Sequence, residues 1–432
     1  MKKIVLLLFI ACVSLPAFAQ KEYGLNFSSL ISDKLTLENA IRIGLENNSD
    51  FLTAQQEIII AQQKVSEAKF RYLPQLSLEG SATWFDLDYP MVLPDAIGNR
   101  FLPGSMLNDD KRFYGVGVKG TQYIYSGGRI KGALKMARAN LKQTENRYET
   151  VKNQIVLNIK TAFFNMLYAQ ENAQFTQELW QTVSAWYKGQ NAPLWTQIQI
   201  SALLAQLQSA NAQAANRLKQ ARLELLTSLN KELNAPLAIT GDFKPVTVNG
   251  DLPRFNLWAM EFRPELKSAI YALELQNISI DLMLSRRYPD IILNASYEQL
   301  GTHNLQDENK QVSLAVRLPI PYNFSSQITQ KQAEQRKSEL KRAQIEDTIR
   351  AQVAHSYENM SFWQNETRTR QETYQQLTNL FQKAAKSAAK TGAAPLQAAQ
   401  AYLQTTQDYL EAVRQNNIAK AELEWAIGKD IN

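Results

Sequence analysis

The chain of 432 residues has a single cysteine, two histidines and, past its N-terminus, no long apolar run. One cysteine excludes a scaffold held by internal disulfides. A membrane-spanning helix needs about 20 apolar residues, so none is expected beyond the N-terminus. A disordered chain is excluded because 45% of the residues are apolar. Basic residues outnumber acidic ones only by 47 to 41 and form no stripe, so nucleic acid is not an expected partner.

The N-terminus has the pattern of a secretory signal. Lys2 and Lys3 precede an apolar run at residues 4–13, and an Ala-Phe-Ala site follows it. These features predict a signal peptide at residues 1–19. Its removal takes Cys12 and lowers the net charge from +6 to +4, because only the two lysines are charged. A lipoprotein signal at Cys12 is the weaker alternative, since the residues before it make a poor lipobox.

Two very long segments have the periodicity of helices. The first runs from Arg129 to Lys188 without proline, and its only glycine is Gly132. Along it, small, polar and apolar residues recur at spacings of four and three, a heptad pattern. The second runs from Ser325 to Lys390 without glycine or proline. A helix of about 60 residues extends about 90 Å, far beyond the length usual in globular domains.

Each long helix ends in a break that predicts a tight turn into a returning helix. Glycine suits the position after a helix, and proline suits the first turn of the next one. The two breaks have similar sequences, Lys188-Gly189-Gln190-Asn191-Ala192-Pro193 and Lys390-Thr391-Gly392-Ala393-Ala394-Pro395. The chain therefore contains two helical hairpins.

Four segments alternate apolar and polar residues with a period of two. They lie at about residues 74–85, 114–125, 289–299 and 311–320. Such alternation over about ten residues is typical of transmembrane β-strands. For one strand pair taken alone, a half-buried hairpin in a soluble protein explains the alternation equally well. Aromatic residues near the strand ends predict interfacial girdles, with ordinary core aromatics as the alternative. They are Tyr72, Trp84, Phe85, Tyr114, Tyr123, Tyr125, Tyr288, Tyr297 and Tyr322.

These segments occur twice in the same order. A predicted helix (Leu35–Phe70 and Arg263–Arg287) precedes each strand pair, and a long hairpin follows it. Residues 20–432 therefore form one protomer of two repeats, at about residues 35–235 and 262–430. Four strands cannot close a membrane barrel, and open strand edges are not tolerated in lipid. We therefore expect a mostly α-helical protein with a transmembrane β portion, whose barrel must be shared between chains if the strands lie in a membrane. A trimer would give a twelve-stranded barrel continuous with an α-helical tunnel.

The mature chain resembles TolC-type outer-membrane efflux factors, because several of their motifs occur in the same order along it. The resemblance covers essentially the whole mature chain, although Ser49 stands where the family usually has proline. The residues that carry it are Leu35-Thr36-Leu37-Glu38-Asn39-Ala40 with Leu45-Glu46-Asn47-Asn48, Tyr72–Leu78, Tyr123–Arg129, Ala202–Leu229 and Ala421–Gly428.

The resemblance implies a homotrimeric channel in the cell outer membrane, with its helical part in the periplasm. It implies passive export in a tripartite efflux or type I secretion system. The hairpin tips would contact a periplasmic adaptor (membrane fusion) protein, and this adaptor would connect the channel to an inner-membrane pump. The adaptor-docking residues would be Lys188, Gly189, Ala192, Pro193, Lys390, Gly392 and Pro395.

The second tip departs from the family, which often has acidic residues just after it. Residues 395–400 contain no carboxylate, so an aspartate ring cannot be carried over. We hypothesise instead a basic or neutral periplasmic entrance that modestly favours anions, formed by Lys383, Lys386, Lys390, Gln397 and Gln400. The alternative is that these lysines face solvent outside the cylinder.

The sequence offers no recognisable catalytic or metal-binding group. His303 and His355 are far apart and have no cysteine or histidine nearby, which argues against a zinc site. Gly115, Gly117 and Gly120 match a dinucleotide fingerprint only superficially, because they lie within an alternating strand. We therefore expect no enzyme activity, no cofactor and no metal. The alternative function is that of a periplasmic or cell-surface coiled-coil structural or adhesion protein.

Overall fold

A computed structural model describes residues 35–84, 112–187, 194–301, 305, 307–320, 322–391 and 396–431. The predicted signal peptide lies outside the described residues, as do Phe85 and His303. The elements within these ranges are α1 (Leu37–Asn47), α2 (Ser49–Phe70), β1 (Gln75–Trp84), β2 (Arg112–Ser126), α3 (Arg129–Tyr187), α4 (Leu194–Ser228), α5 (Leu252–Phe262), α6 (Pro264–Ser285), β3 (Asp290–Gly301), β4 (Asp307–Arg317), α7 (Phe324–Thr391) and α8 (Leu396–Ile427).

The same order of elements occurs twice along the chain. Each half begins with a helix of 11 residues followed by one of 22 residues. A single residue in extended conformation, Asn48 or Arg263, separates the two helices of each pair. The prediction of one continuous helix from Leu35 to Phe70 is therefore wrong. The Asn48 side chain accepts hydrogen bonds from the backbone N–H groups of Asp50 and Phe51, so it ends one helix and caps the next.

The long helices form two antiparallel hairpins, α3 with α4 and α7 with α8. The helix α3 has 59 residues and α7 has 68, so they extend about 90 and about 100 Å. Near the sheet, the helices pack side by side in the order α2, α3, α6 and α7. Toward the hairpin tips, they pack in the order α4, α3, α8 and α7. Among the described residues, no helix is long and apolar enough to cross a membrane.

Apolar side chains form an equivalent core in each half. In the first half, α1 lies against α3, and Ile159 of α3 and Leu225 of α4 are fully buried in the same cluster. In the second half, α5 lies against α7 and α8, where Val353 and Leu423 are fully buried. A third cluster, which includes Phe381, joins the two hairpins toward their tips. Burial of these side chains fixes the helices beside one another.

The four strands form one antiparallel sheet in the order β1-β2-β3-β4. The sequence placed the fourth strand at residues 311–320, but β4 runs from Asp307 to Arg317. It ends before Pro319, which has no N–H group to donate to a sheet. The glycines of the apparent dinucleotide fingerprint lie in β2, and a Cβ atom at Gly117 would stand 2.6 Å from the Cγ of Glu298.

Candidate functional site

One face of the sheet is apolar and exposed. Leu78, Val118 and Tyr297 are register partners across three strands of this face. Its most exposed aliphatic side chains are Leu76 (76%) and Val312 (75%), and its other exposed members include Val116, Leu293, Leu314 and Val316. An apolar face that continues over four strands marks a surface covered by lipid or by protein.

The opposite face of the sheet is polar. Lys119 lies opposite Ser296, and Thr121 lies opposite Asn294. The Thr121 hydroxyl donates a hydrogen bond of 3.2 Å to Asn294, and the Asn309 amide donates one of 3.3 Å to the Glu298 carboxylate. Exceptions are Ile292 on the polar face and Lys310 and Glu308 on the apolar face. The division suits a sheet with an apolar medium on one side and water on the other.

Both edges of the sheet are open among the described residues. The strand β1 pairs only with β2, and β4 pairs only with β3. Each edge therefore presents a row of backbone N–H and C=O groups that another strand can pair with. In lipid such groups must be paired, because no water can satisfy them.

Aromatic side chains stand near both ends of the sheet. Trp84 and Tyr114 lie at the end remote from the helices, and Trp84 is 67% exposed. Tyr72, Tyr125, Tyr288 and Tyr322 are exposed at the end next to the helices. Tyr297, however, lies within β3 opposite Val118 rather than at a strand end.

A two-glycine turn connects β2 to α3. Gly127 and Gly128 have φ angles of +59° and +85°, which glycine adopts at little cost. A Cβ atom at Gly127 would also stand 2.7 Å from the Cβ of Tyr288 and 2.8 Å from the Ser285 carbonyl oxygen. This turn sets the direction in which the long helix leaves the sheet.

The structure describes only part of the predicted tip site. Lys188, Gly189, Ala192, Pro193, Gly392 and Pro395 lie outside the described residues. Lys383, Lys386 and Lys390 lie on α7, and the Lys383 side chain is exposed. Gln397 and Gln400 lie in the first turns of α8 and are exposed. The Gln400 amide donates a hydrogen bond of 2.8 Å to Gln206 of α4, which joins the two hairpins.

A charged network between α8 and α3, away from the hairpin tips, was not predicted from the sequence. Arg414 of α8 pairs with Glu411 and donates a hydrogen bond of 2.8 Å to Asn165 of α3. Burial opposes ionisation of Glu411, but hydrogen bonds from Arg414 and Gln415 outweigh burial and lower the pKa of this carboxyl. Burial raises the pKa of the neighbouring Tyr168. The hydrogen bond to Asn165 joins α8 to α3, and the ion pair with Glu411 within α8 orients the Arg414 guanidinium.

A second missed residue, Arg263, lies at the extended position between α5 and α6. Its guanidinium is almost fully buried, and it donates hydrogen bonds to the carbonyl oxygens of Trp425 and Ala426 at 3.1 and 3.2 Å. It also bonds Gln352 and Glu265, both at 2.9 Å. Burial lowers the pKa of Arg263, and Glu265 partly restores it. Arg263 thereby satisfies the last carbonyl groups of α8 and fixes that helix end.

Comparison with known proteins gives one family match and several structural matches. Residues 40–188 match the family model described as outer membrane efflux protein. The fold is similar to that of CusC, with a TM-score of 0.71, 19% identity and coverage of 91% of this chain and 92% of that one. The chain has the fold of the outer-membrane efflux channels.

Two further structures support this assignment. The CmeC outer membrane channel of Campylobacter jejuni matches with a TM-score of 0.74 and 12% identity, over 92% of this chain and 86% of that one. The MtrE outer membrane channel of Neisseria gonorrhoeae, in an open state, matches with a TM-score of 0.72 and 17% identity, over 93% and 94% of the two chains. A sequence search of curated proteins gives no match.

These findings confirm the predicted fold class, mostly helical with a small sheet, and residues 40–188 match a model of the family that the sequence resembles. They also support the predicted efflux-channel function and outer-membrane location. The family and the structural neighbours are channels rather than enzymes.

Proposed function

We propose that this chain is the outer-membrane channel of a tripartite efflux or type I secretion system. The observation that carries the proposal is the sheet, which has one exposed apolar face, one polar face and two open edges. Three copies would supply twelve strands and pair every edge, with the apolar face toward lipid and the polar face toward a water-filled pore.

The helices support a tunnel on the periplasmic side of this barrel. Near the sheet, four helices per protomer stand side by side in the order of the strands to which they connect. Three protomers would therefore extend the barrel as a helical cylinder. We propose residues 1–19 as the signal peptide that directs the chain to this location, and residues 20–432 as one channel protomer of two repeats.

Partners at the hairpin tips follow from the same proposal. A periplasmic adaptor protein would dock at the tips and connect the channel to an inner-membrane pump, which would supply the energy. Docking residues are Lys188, Gly189, Ala192, Pro193, Lys390, Gly392 and Pro395. Lys383, Lys386, Lys390, Gln397 and Gln400 would form a basic or neutral entrance. The channel itself would transport passively, without enzyme activity or a cofactor.

Membrane fractionation and conductance test the channel proposal. The mature protein should be extracted from outer membranes as a trimer that dissociates on heating, and it should conduct ions in a planar lipid bilayer. A soluble trimer without conductance would instead favour the coiled-coil structural or adhesion protein, and a soluble monomer would overturn the proposal.

A further inference from the structure

A continuous cleft lies where the helices meet the sheet. Its part next to the sheet is lined by Gln75, Tyr123, Ser126 and Asp290 from the strands, together with the end of α2 and the start of α3. Its part along the helices is lined by α2, α3, α6 and α7. The two parts share Glu67, Arg71, Arg129 and Ala133, so they form one surface.

The register of the sheet shows which side this cleft faces. Gln75 is the partner of Thr121, and Thr121 is the partner of Asn294 on the polar face. Tyr123 is the partner of Ile292, and Ser126 is the partner of Asp290. Ile292 and Asp290 are two and four residues before Asn294, so they share its face, because side chains alternate along a strand. The cleft therefore opens on the polar side of the sheet, which in the proposed channel is the pore side.

Basic residues dominate the cleft. It is lined by Lys64, Arg71, Arg129, Arg286 and Lys331, against the carboxylates of Glu67, Asp290 and Glu334. We refer to these five basic residues as the basic belt.

Every carboxylate in the cleft is already paired. Arg129 pairs with Asp290, Lys331 pairs with Glu334 at 2.6 Å, and Arg71 lies 3.6 Å from Glu67. Within the described part of the chain, Lys64 and Arg286 make no ion pair with a carboxylate. Arg286 contacts only an amide, the Gln327 side-chain oxygen at 3.4 Å. The belt therefore retains two exposed positive charges per protomer.

Farther from the sheet, the other side of α3 has balanced charges. Lys142, Glu145 and Glu149 lie about half a turn around the helix from Ala133 in the cleft. Lys142 pairs with Glu145 at 2.8 Å, and Lys152 pairs with Glu149 at 3.3 Å. Nearer the sheet, the same side of α3 carries the exposed Lys131, Lys135 and Arg138, so the basic belt is distinguished by its position on the pore side and not by its charge alone.

We propose that the basic belt is an anion-binding station at the junction of barrel and tunnel, one that favours solutes carrying phosphate, sulfate or carboxylate groups. The proposal rests on the channel function proposed above. Guanidinium and ammonium groups donate charge-assisted hydrogen bonds to such oxyanions. A cleft lined by charge of one sign also concentrates counter-ions, by about tenfold or more at low ionic strength. Threefold symmetry would place six unpaired cations around one pore, two from each copy.

Reversal potentials of the purified mature channel in a planar bilayer test the proposal. Under a gradient of KCl around 0.1 M, chloride should be more permeant than potassium. The preference should decline near 1 M, where the screening length falls from about 10 to about 3 Å. The double variant Lys64→Gln with Arg286→Gln should lose most of the preference, whereas Lys142→Gln on the opposite side of α3 should keep it.

Two further arms separate the belt from other causes. Inorganic pyrophosphate should reduce the current of the wild-type channel. It should not reduce the current of the neutral double variant Lys64→Gln with Arg286→Gln. The charge-retaining double variant Lys64→Arg with Arg286→Lys should respond as wild type does. All variants should remain heat-dissociable trimers. If neutralising Lys383, Lys386 and Lys390 removes the preference and neutralising the belt does not, the belt proposal is wrong. A cation-preferring channel would also overturn it, whereas a protein without conductance would overturn the channel function itself.

Discussion

The ammonium nitrogen of Lys160 on α3 lies 2.7 Å from the Oε2 atom of Glu424 on α8, 264 positions away in the sequence. Asp430 contributes a second carboxylate at 3.1 Å. The side chains of Lys160 and Glu424 are 14% and 9% exposed. This ion pair joins the long helix of the first half to the last helix of the second half.

Lys160→Met should destabilise the protein by about 3 kcal/mol, because it removes the nearer cation of the buried Glu424 carboxylate and leaves only Lys420 at 3.6 Å. Burial lowers the pKa of Lys160, but Glu424 and Asp430 outweigh burial and raise it above its ordinary 10.5. Because the lysine pKa is higher in the folded state than in the unfolded state, the ion pair stabilises the fold fully at pH values below the unfolded-state pKa. This stabilisation is lost as the pH rises through the folded-state pKa. Thermal unfolding followed by circular dichroism should therefore separate the variant from wild type at pH 7, and the gap should narrow above about pH 10.5.

A suitable control for this prediction is Lys244→Met. Lys244 pairs with Asp242 at 3.5 Å, but both side chains are largely exposed. Exposed pairs contribute little to stability. An equal shift of the unfolding midpoint in both variants would contradict the role assigned to Lys160.

Val312→Arg and Gln311→Arg test which face of the sheet meets lipid. The two residues are neighbours in β4, so their side chains point to opposite faces. Arginine on a lipid-facing strand costs about 2–4 kcal/mol at mid-membrane depth, whereas a pore-facing position tolerates it. Val312→Arg should lower the yield of heat-dissociable trimer in outer membranes, and Gln311→Arg should leave it near the wild-type level. The reverse ranking would place lipid on the polar face.

Gly127→Ala should weaken the junction between β2 and α3. Alanine at a positive φ costs about 1–2 kcal/mol, and its Cβ would approach Tyr288 and Ser285 too closely. We expect a lower thermal midpoint and less assembled trimer. Gly80→Ala is the matched control, because a Cβ at Gly80 meets nothing within 4 Å. If both variants assemble as wild type does, the turn has no special requirement for glycine at Gly127.

Arg263→Ala should loosen the C-terminal end of α8. It removes four hydrogen bonds and leaves the Ala426 carbonyl group without its side-chain donor, while Trp425 keeps only the Gly428 N–H group, at a cost of about 3 kcal/mol. Limited proteolysis should then cut near the end of α8 sooner than in wild type. Arg254→Ala is the control, since Arg254 is exposed and contacts only the Trp258 ring. Equal cutting in wild type and Arg263→Ala would rule out this anchoring role.

Local periodicity predicted the long helices and the sheet, because heptads and period-two alternation are properties of neighbouring residues. The break at Asn48 escaped this reasoning, since apolar residues continue on both sides of it and only the cap shows where α2 begins. The helix α5 was not predicted either.

The contacts of Arg263, Lys160 and Gln400 could not be predicted from the pattern. Each depends on which helices become neighbours, and periodicity does not specify neighbours. The basic belt was missed for the same reason. Lys64, Arg129 and Arg286 come from three separate segments, which the packing of α2, α3 and α6 brings into one cleft.

The length of α7 gives the proposed channel a mechanical property. In a helix of 68 residues, a small rotation at one end produces a large displacement at the other. A tilt of about 5° at the sheet would move the far end of the helix by about 9 Å, since the helix spans about 100 Å. An opening wide enough for a small solute therefore needs only slight repacking beside the sheet, and the barrel can stay fixed in the membrane while the distant tips move apart.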